Sequence, residues 1–339
     1  MAPMAADVAD FYDRFGDREF GRPSLVNYVS EALHEAFLRG ARGRALDAGA
    51  GIGRFTVPLA RHCRSVVVVD ISSSQLERNR VRVREAGLLR RIEAHLQLDI
   101  SHLKGLGDSS FDSVVCFRGP INYSVTSLDR ALSELLRVTR PGGLLLVSVR
   151  TRFSAIRSLA LAGVHLNDLL QMRRALGVSI KPVIRARHVP AQRLISIGEF
   201  LDLVAHQSGV VERVSGDGFL TPWLAASTQT TLWPAILKIE RRLARDVYAV
   251  ATANHAMFAI RKSATNECQR GSPPSKGAIK ERPELGAAIG AANTVSQVGD
   301  ERQASDWSTD PSRSATTGFQ GQAALAGRKG RPSARRTVI

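Results

Sequence analysis

Several features are scarce in this chain of 339 residues, and each scarcity excludes a class of protein. The 3 cysteines form no C-x-x-C pair and no zinc-ligand spacing, which argues against a disulfide scaffold and a metal site. Apolar runs are far shorter than the ~20 residues that span a bilayer, so we expect no transmembrane segment. The N-terminus lacks an apolar core segment, so we expect no secretory signal. These observations predict a cytoplasmic protein.

Acidic residues are also in deficit, with 31 acidic against 47 basic residues and a formal net charge of +16. The excess is concentrated in residues 150–193, which hold nine basic residues and one acidic residue. Residues 263–339 are rich in Gly, Ala, Ser, Pro and Gln and show no sustained apolar period. A segment of this composition buries too little apolar surface to offset its ordering entropy, so we predict a disordered basic tail.

Strand-like and helix-like patterns alternate through the first 262 residues, which is typical of a parallel α/β sheet. Short apolar or β-branched runs predict five strands, and the third of them is expected to end at Asp99. Between them, a serine-capped helix should close at Gly87, and an amphipathic helix should be stopped by Pro141, Gly142 and Gly143. Two further strand patterns, VVERVS and AMFAIRK, follow a late helix.

A glycine-rich loop, LDAGAGIGRF, follows the first strand pattern and precedes a helix. The dinucleotide-binding pattern G-x-G-x-x-G fails in both registers, because its third glycine would be Arg54 or Thr56. A P-loop fails as well, since no Gly-Lys-Ser/Thr follows. The pattern that remains is D-x-G-x-G-x-G, whose glycines let the backbone pass close to a ligand.

This loop resembles motif I of class I S-adenosylmethionine-dependent methyltransferases, especially the small-molecule branch around the ubiquinone and menaquinone biosynthesis enzymes. Four more features follow in order: Asp70, 23 residues after Asp47; the pair Asp99–Ile100; FDSVVCFRGPINY; and RVTRPGGLLLVSV. The resemblance covers roughly residues 8–150 and 195–262. It implies a Rossmann-like α/β fold, with a seven-stranded sheet of order 3-2-1-4-5-7-6, an antiparallel last strand and helices on both faces.

The resemblance also implies a division of the chain and a cofactor, S-adenosyl-L-methionine. Residues 1–40 would form a helical cap, residues 41–262 the methyltransferase domain, and residues 151–194 an acceptor-side insertion within it. The cofactor-binding residues would be Asp47, Gly49, Gly51, Gly53, Asp70, Ile71, Asp99, Ile100, Phe117 and Tyr12. The acceptor would meet Arg118, Tyr123 and Leu159. No residue is identified as a catalytic base, and no metal is expected.

Within this set, Asp70 would accept hydrogen bonds from both ribose hydroxyls, although a helix-capping role stays open. Asp99 would lie beside the adenine amino group, and Asp47 would support the loop. Tyr12, on a short helix, either closes over the cofactor or simply packs on the domain. Arg118 either binds an anionic group or forms a surface salt bridge.

The function expected from these patterns is methyl transfer to an oxygen or nitrogen of a small-molecule metabolite. Enzymes of this fold that methylate the exocyclic amines of nucleobases carry Asn/Asp-Pro-Pro-Tyr/Phe in the loop after strand four. Here Pro120 is followed by Ile121, and this departure from the motif argues against methylation of nucleobase amines. The alternative is an RNA or protein methyltransferase recruited by the basic insertion and tail, and a non-catalytic cofactor-binding protein is a third possibility. With aromatics at only 6%, we expect no nucleic-acid partner. Peripheral membrane contact and the oligomeric state stay open.

Overall fold

The computed structural model describes residues 3–14, 24–154, 190–207, 209–224 and 229–264. These residues form a sheet of seven strands in the order β3-β2-β1-β4-β5-β7-β6. The strands are β1 (Arg44–Ala48), β2 (Ser65–Asp70), β3 (Ile92–Gln97), β4 (Phe111–Cys116), β5 (Thr139–Arg150), β6 (Gly209–Asp217) and β7 (His255–Lys262). Strands β1 to β5 pair in parallel, whereas β7 runs antiparallel to both neighbours, β5 and β6. The sheet order and the antiparallel last strand confirm the prediction from the sequence.

Helices cover both faces of the sheet, which explains why its central strands are apolar on both sides. In β2, Val66 and Val68 belong to one buried cluster, while Val67 and Val69 belong to the other. The longer helices are α1 (Pro3–Arg14), α2 (Leu25–Phe37), α3 (Thr56–His62), α4 (Ser73–Glu85), α6 (Leu128–Val138), α7 (Ile197–Ala205) and α9 (Trp233–Leu243). Single turns form α5 (Pro120–Tyr123), α8 (Thr221–Leu224) and α10 (Val247–Val250).

The helices divide between the two faces. The cluster that contains Val66 takes its helical side chains from α2, α3, α4 and α9, and the cluster that contains Val67 takes them from α5, α6, α7 and α10. The side chain of Ser72 caps α4 by accepting a hydrogen bond from the Gln75 amide, as the sequence predicted. Gly87 follows α4 with φ of +72°, a left-handed conformation that suits glycine.

Two boundaries predicted from the sequence are wrong. Strand β3 ends at Gln97 rather than at Asp99, because the Asp99 carboxylate accepts the Ser101 amide and forms a local turn. The Pro-Gly-Gly segment does not stop α6, because the helix ends at Val138 and β5 already begins at Thr139. The register between β4 and β5 shifts there, so the segment is an irregularity within a strand.

Most of the predicted insertion (residues 155–189) and of the predicted tail (residues 265–339) lies outside the described residues. Among the helices that are described, none is both long enough and apolar enough to cross a membrane.

Candidate active site

A cavity of about 790 Å³ opens beside the carboxyl ends of β1, β2 and β4, the edge at which open α/β sheets bind ligands. Its volume lies within the 300–1,000 Å³ that is common for ligand pockets. The structure brings most of the predicted site residues into its wall: Tyr12, Asp47, Gly49, Gly51, Asp70, Ile71, Asp99, Ile100, Phe117, Arg118 and Tyr123. Gly53 does not line the cavity, and Leu159 lies outside the described residues.

The glycine loop shapes one wall of the cavity. Gly51 has φ of +51°, and a Cβ placed on it would meet only the Gln75 side chain, at 4.0 Å. Its backbone is therefore open to a ligand that approaches closely. At Gly49, by contrast, a Cβ would lie 2.3 Å from a ring carbon of Pro120, so this glycine lets the loop after β4 pack against β1.

Asp70 ends β2 and is 8% exposed. One carboxylate oxygen accepts the Gly51 amide at 2.7 Å, and the other accepts the Ser72 amide at 2.9 Å. Burial raises the pKa of this carboxyl above its usual range. The Ile71 amide also contributes a hydrogen bond to this carboxylate. A carboxylate offers about four lone-pair sites, so part of its accepting capacity remains for a ligand in the cavity. Ser72 rather than Asp70 caps α4.

Asp47 is 2% exposed at the end of β1, where its carboxylate accepts the Thr56 hydroxyl at 2.6 Å. The Thr56 hydroxyl in turn accepts the Asn79 amide at 2.8 Å, which ties β1 to α3 and α4 beneath the glycine loop. Burial raises the pKa of Asp47 to about 7. Asn79 also packs against Gly53. The hydrogen-bonded group of Asp47, Thr56 and Asn79 therefore supports the glycine loop.

Asp99 and Ile100 line the end of the cavity beyond β3, together with Leu98, Ser101 and His102. One oxygen of Asp99 accepts both the amide and the hydroxyl of Ser101 at 2.8 Å. The apolar side chains there could cover a flat aromatic ring, while the carboxylate could accept a hydrogen bond from its edge.

Helix α1 lies over the cavity and is fastened at two points. The Asp13 carboxylate accepts the Ser72 hydroxyl at 2.5 Å and the Ser74 amide at 3.0 Å, at the start of α4. The Tyr12 hydroxyl donates to the Tyr123 hydroxyl at 2.8 Å, and that oxygen also accepts the Gln192 amide at 2.6 Å. Burial raises the pKa of Tyr12 well above 10. Tyr12 therefore lines the cavity and also ties α1 to α5.

Arg118 follows β4 with φ of +60°, an uncommon conformation for a residue other than glycine. Its backbone amide donates to the Ser148 hydroxyl at 2.6 Å, and its guanidinium donates to the side chain of Asn27 at 3.1 Å. Burial lowers its pKa, although an arginine stays charged at neutral pH. Arg118 thus presents a cation to the cavity rather than forming a surface salt bridge.

Sequence reasoning missed a group of polar residues at the β6–β7 end of the site: Asp217, His255, Asn254, Gln192 and His34. His255 and Asn254 begin or precede β7 and line the cavity, and Asp217 ends β6 directly opposite His255. The signal that could have found them is an acid at the end of one strand pattern and a histidine at the start of the next. Such residues become neighbours only if the two strands pair antiparallel.

The sheet order, together with a cavity at its carboxyl edge, defines a Rossmann-like α/β fold with a candidate ligand site. Comparison with known proteins narrows the class. The family described as a methyltransferase domain matches residues 46–147. The ubiquinone/menaquinone biosynthesis C-methyltransferase of Haemophilus ducreyi is 38% identical over 155 residues, which are 43% of this chain and 56% of that protein.

Methyltransferase GfsG of Streptomyces halstedii is 35% identical over 165 residues, covering 43% of this chain and 58% of that protein. The chain thus spans a little more than half the length of these curated relatives. Among solved structures, magnesium protoporphyrin IX methyltransferase from Synechocystis PCC 6803, with bound S-adenosylhomocysteine, superposes with a TM-score of 0.50. It is 13% identical, and the match covers 77% of this chain and 100% of that one, which supports the fold alone.

Residues 46–147 therefore match a methyltransferase domain, and the sheet order agrees with the class I S-adenosylmethionine-dependent methyltransferase family expected from the sequence. This domain resembles the ubiquinone and menaquinone biosynthesis methyltransferases.

Proposed function

We propose that this protein transfers a methyl group from S-adenosylmethionine to an oxygen or nitrogen of a small-molecule metabolite. The observation that carries the proposal is that Asp70 and Gly51 line the same cavity and are joined by a hydrogen bond from the Gly51 amide to the Asp70 carboxylate. The Asp70 carboxylate keeps accepting capacity for ribose hydroxyls beyond its backbone hydrogen bonds, and Gly51 leaves its backbone open to close approach. We propose that Asp99 and Ile100 hold the adenine ring, while Asp47 fixes the loop.

When bound, S-adenosylmethionine supplies a methyl group already activated by its sulfonium. The protein then has to place an acceptor in line behind that methyl and exclude water. We propose that α1 contributes by covering the cavity through Tyr12 and Asp13. Arg118 and Tyr123, on the far side of the cavity from Asp99, would face the acceptor. Leu159, predicted to contact the acceptor as well, lies outside the described residues.

The limited volume of the cavity, about 790 Å³, favours a small acceptor, and the Haemophilus relative is named for the biosynthesis of small molecules. That relative is named a C-methyltransferase, so the acceptor atom has to be measured here. The competing proposal, methylation of RNA or protein, depends on the basic insertion, most of which is outside the described residues. RNA as a substrate would be bound with steep salt dependence, because counterions are released from the phosphates.

Calorimetry tests the first part of the proposal: the purified chain should bind S-adenosylhomocysteine and bind NAD far more weakly. A preference for NAD would refute it. Incubation with methyl-labelled S-adenosylmethionine and a metabolite extract, followed by mass spectrometry, tests the second part. Label in small molecules supports the proposal, and label in RNA or protein alone supports the competing one.

A further inference from the structure

The acceptor side of the cavity holds a buried acid paired with a histidine. Asp217 is 1% exposed, and its Oδ1 atom lies 2.9 Å from His255 Nδ1 and 3.0 Å from the His255 backbone nitrogen, which donates to it. The other carboxylate oxygen accepts the Ser30 hydroxyl. These contacts hold the carboxylate in one orientation, and antiparallel pairing of Asp217 with His255 holds the two backbones together.

The pair fixes the tautomer of the imidazole ring. The histidines and the Ser30 hydroxyl offset the cost of burial and hold the pKa of Asp217 well below its usual range, so this group is a carboxylate. His255 Nδ1 lies 2.9 Å from Asp217 and 3.3 Å from the Asn254 side-chain nitrogen; the shorter contact is with a carboxylate, which can only accept, so a neutral His255 ring carries its proton on Nδ1. Nε2 is then the basic nitrogen, and it has no hydrogen-bond partner among the described residues. His255 also lines the cavity.

His34 lies next to this pair, but both of its ring nitrogens have partners within the protein. Its Nδ1 atom lies 2.8 Å from the Ser30 carbonyl oxygen, and its Nε2 atom lies 3.1 Å from the Ser148 hydroxyl. The side chain is fully buried, and burial lowers its pKa to about 4. Both ring nitrogens are engaged, and the ring is neutral above pH 5. His34 therefore supports Asp217, whereas His255 keeps one nitrogen for a ligand.

Position in the sheet places His255 beside the acceptor rather than beside the cofactor. The residues proposed to hold the cofactor follow β1, β2 and β3, whereas β7 lies beyond β4 and β5. At about 4.8 Å per strand, His255 is roughly 10 Å from the end of β4, where Arg118 begins the next loop. Arg118 and Arg150 line the same part of the cavity and add positive charge near His255. Among the described residues, no group of His, Cys, Asp and Glu is arranged to hold a metal ion.

We propose that His255, oriented by Asp217, is the general base of methyl transfer and that the acceptor is a molecule with a phenolic hydroxyl. This inference rests on the proposed function and names the substrate class of that site. The acceptor hydroxyl gives its proton to His255 Nε2 while its oxygen bonds to the methyl carbon. The electron pair of the broken sulfur–carbon bond stays on the sulfur of the departing S-adenosylhomocysteine. Asp217 then faces an imidazolium, which it stabilises.

Hydroxyl acceptors need such a base more than other acceptors do. A carboxylate is ionised already, and a neutral amine attacks with its own lone pair. A phenol has a pKa near 10, closer to that of imidazole than the pKa of an alcohol is, so a phenol gives its proton to imidazole more readily. The cations of Arg118 and Arg150 would further favour the phenolate.

The experiment uses the full chain and three naphthalene probes of similar shape: 1-naphthol, 1-naphthylamine and 1-naphthoate. Methyl transfer to each is measured for the wild type, for His255→Gln and for His206→Gln, a control at an exposed histidine outside the cavity. We expect the wild type to prefer 1-naphthol and His255→Gln to lower that rate about 10²- to 10⁴-fold, with His206→Gln unchanged. Equal rates for His255→Gln and the wild type, or preference for the amine or the carboxylate, would overturn the proposal.

Two measurements do not depend on turnover. Nitrogen NMR of histidine-labelled chain should show His255 with its proton on Nδ1, and Asp217→Asn should disturb that tautomer. Diethyl pyrocarbonate should modify His255 and leave His34 unmodified. A proton on Nε2, or an unreactive His255, would refute the proposal. Calorimetry with S-adenosylhomocysteine distinguishes failure of the proposed function from failure of this inference. If the wild type does not bind S-adenosylhomocysteine, the proposed function is refuted. If His255→Gln binds it as the wild type does, the defect of that variant lies on the acceptor side.

Discussion

Replacing Asp70 with alanine tests the cofactor site most directly. In the proposed complex the carboxylate accepts two ribose hydroxyls, and hydrogen bonds to a charged group contribute about 1.5–3 kcal/mol each. Water in the open cavity would replace part of this interaction, so the lower end applies, about 3 kcal/mol in total. That loss corresponds to a roughly 150-fold weaker affinity for S-adenosylhomocysteine.

Asp70 also accepts the Gly51 and Ser72 amides, so its loss could act through the loop rather than through the ribose. Asp70→Asn separates the two effects, because an asparagine keeps one acceptor oxygen and the shape of the side chain. We expect Asp70→Asn to lose less affinity than Asp70→Ala. Asp129→Ala, at an exposed acid in the first turn of α6, is the matched control and should bind normally.

Calorimetry gives the affinity, and circular dichroism with a thermal melt reports on the fold. A native spectrum together with an affinity for S-adenosylhomocysteine within threefold of the wild type would show that Asp70 only organises the loop. The ribose contact would then have to be sought elsewhere in the cavity.

Two further predictions concern the loop and its support. Gly51→Ala and Gly87→Ala should each lower the free energy of unfolding by about 1 kcal/mol, because both glycines have positive φ, but only Gly51→Ala should weaken S-adenosylhomocysteine binding in calorimetry. Equal affinities would contradict the placement of the loop. The folded-state pKa of Asp47, about 7, exceeds its ordinary value of 3.8, so this group contributes less stability as the pH rises. Urea unfolding should show that the free energy of unfolding of Asp47→Asn, relative to that of the wild type, rises by about 2–3 kcal/mol from pH 5 to pH 8. A difference between the two proteins that does not change with pH would refute the raised pKa of Asp47.

The half of the site nearest the cofactor could be predicted from the sequence because its residues follow strands that are themselves recognisable. Asp70 closes a β-branched run, and the glycines follow an apolar one, so their neighbourhood depends on parallel strands ending at one edge. Tyr12 was predicted from a short helical pattern, but its hydrogen bond to Tyr123 spans 111 positions and has no local signal.

The β6–β7 end of the site could not be predicted, because long-range pairing creates it. Ser30 and Asp217 are 187 positions apart, and His34 and Ser148 are 114 apart. Each is an ordinary polar residue within its own segment. Only the antiparallel pairing of β6 with β7, packed against α2, makes them a buried group. The prediction that the Pro-Gly-Gly segment stops the helix was wrong for the opposite reason. The local sequence clearly indicated a turn, but pairing of Thr139 with Phe111 extended the strand through the segment.

Features that cost folding free energy are concentrated near the β6–β7 end of the cavity. Arg118 adopts a left-handed conformation, which costs a non-glycine residue about 1–3 kcal/mol, and Asp217 is a carboxylate withdrawn from water. Ser148 connects the two, since its hydroxyl accepts the Arg118 amide and lies 3.1 Å from His34 Nε2. A packed apolar group would be at least as stable there. The arrangement is therefore better explained by what it offers the cavity: a fixed cation and a histidine whose free nitrogen is held in place.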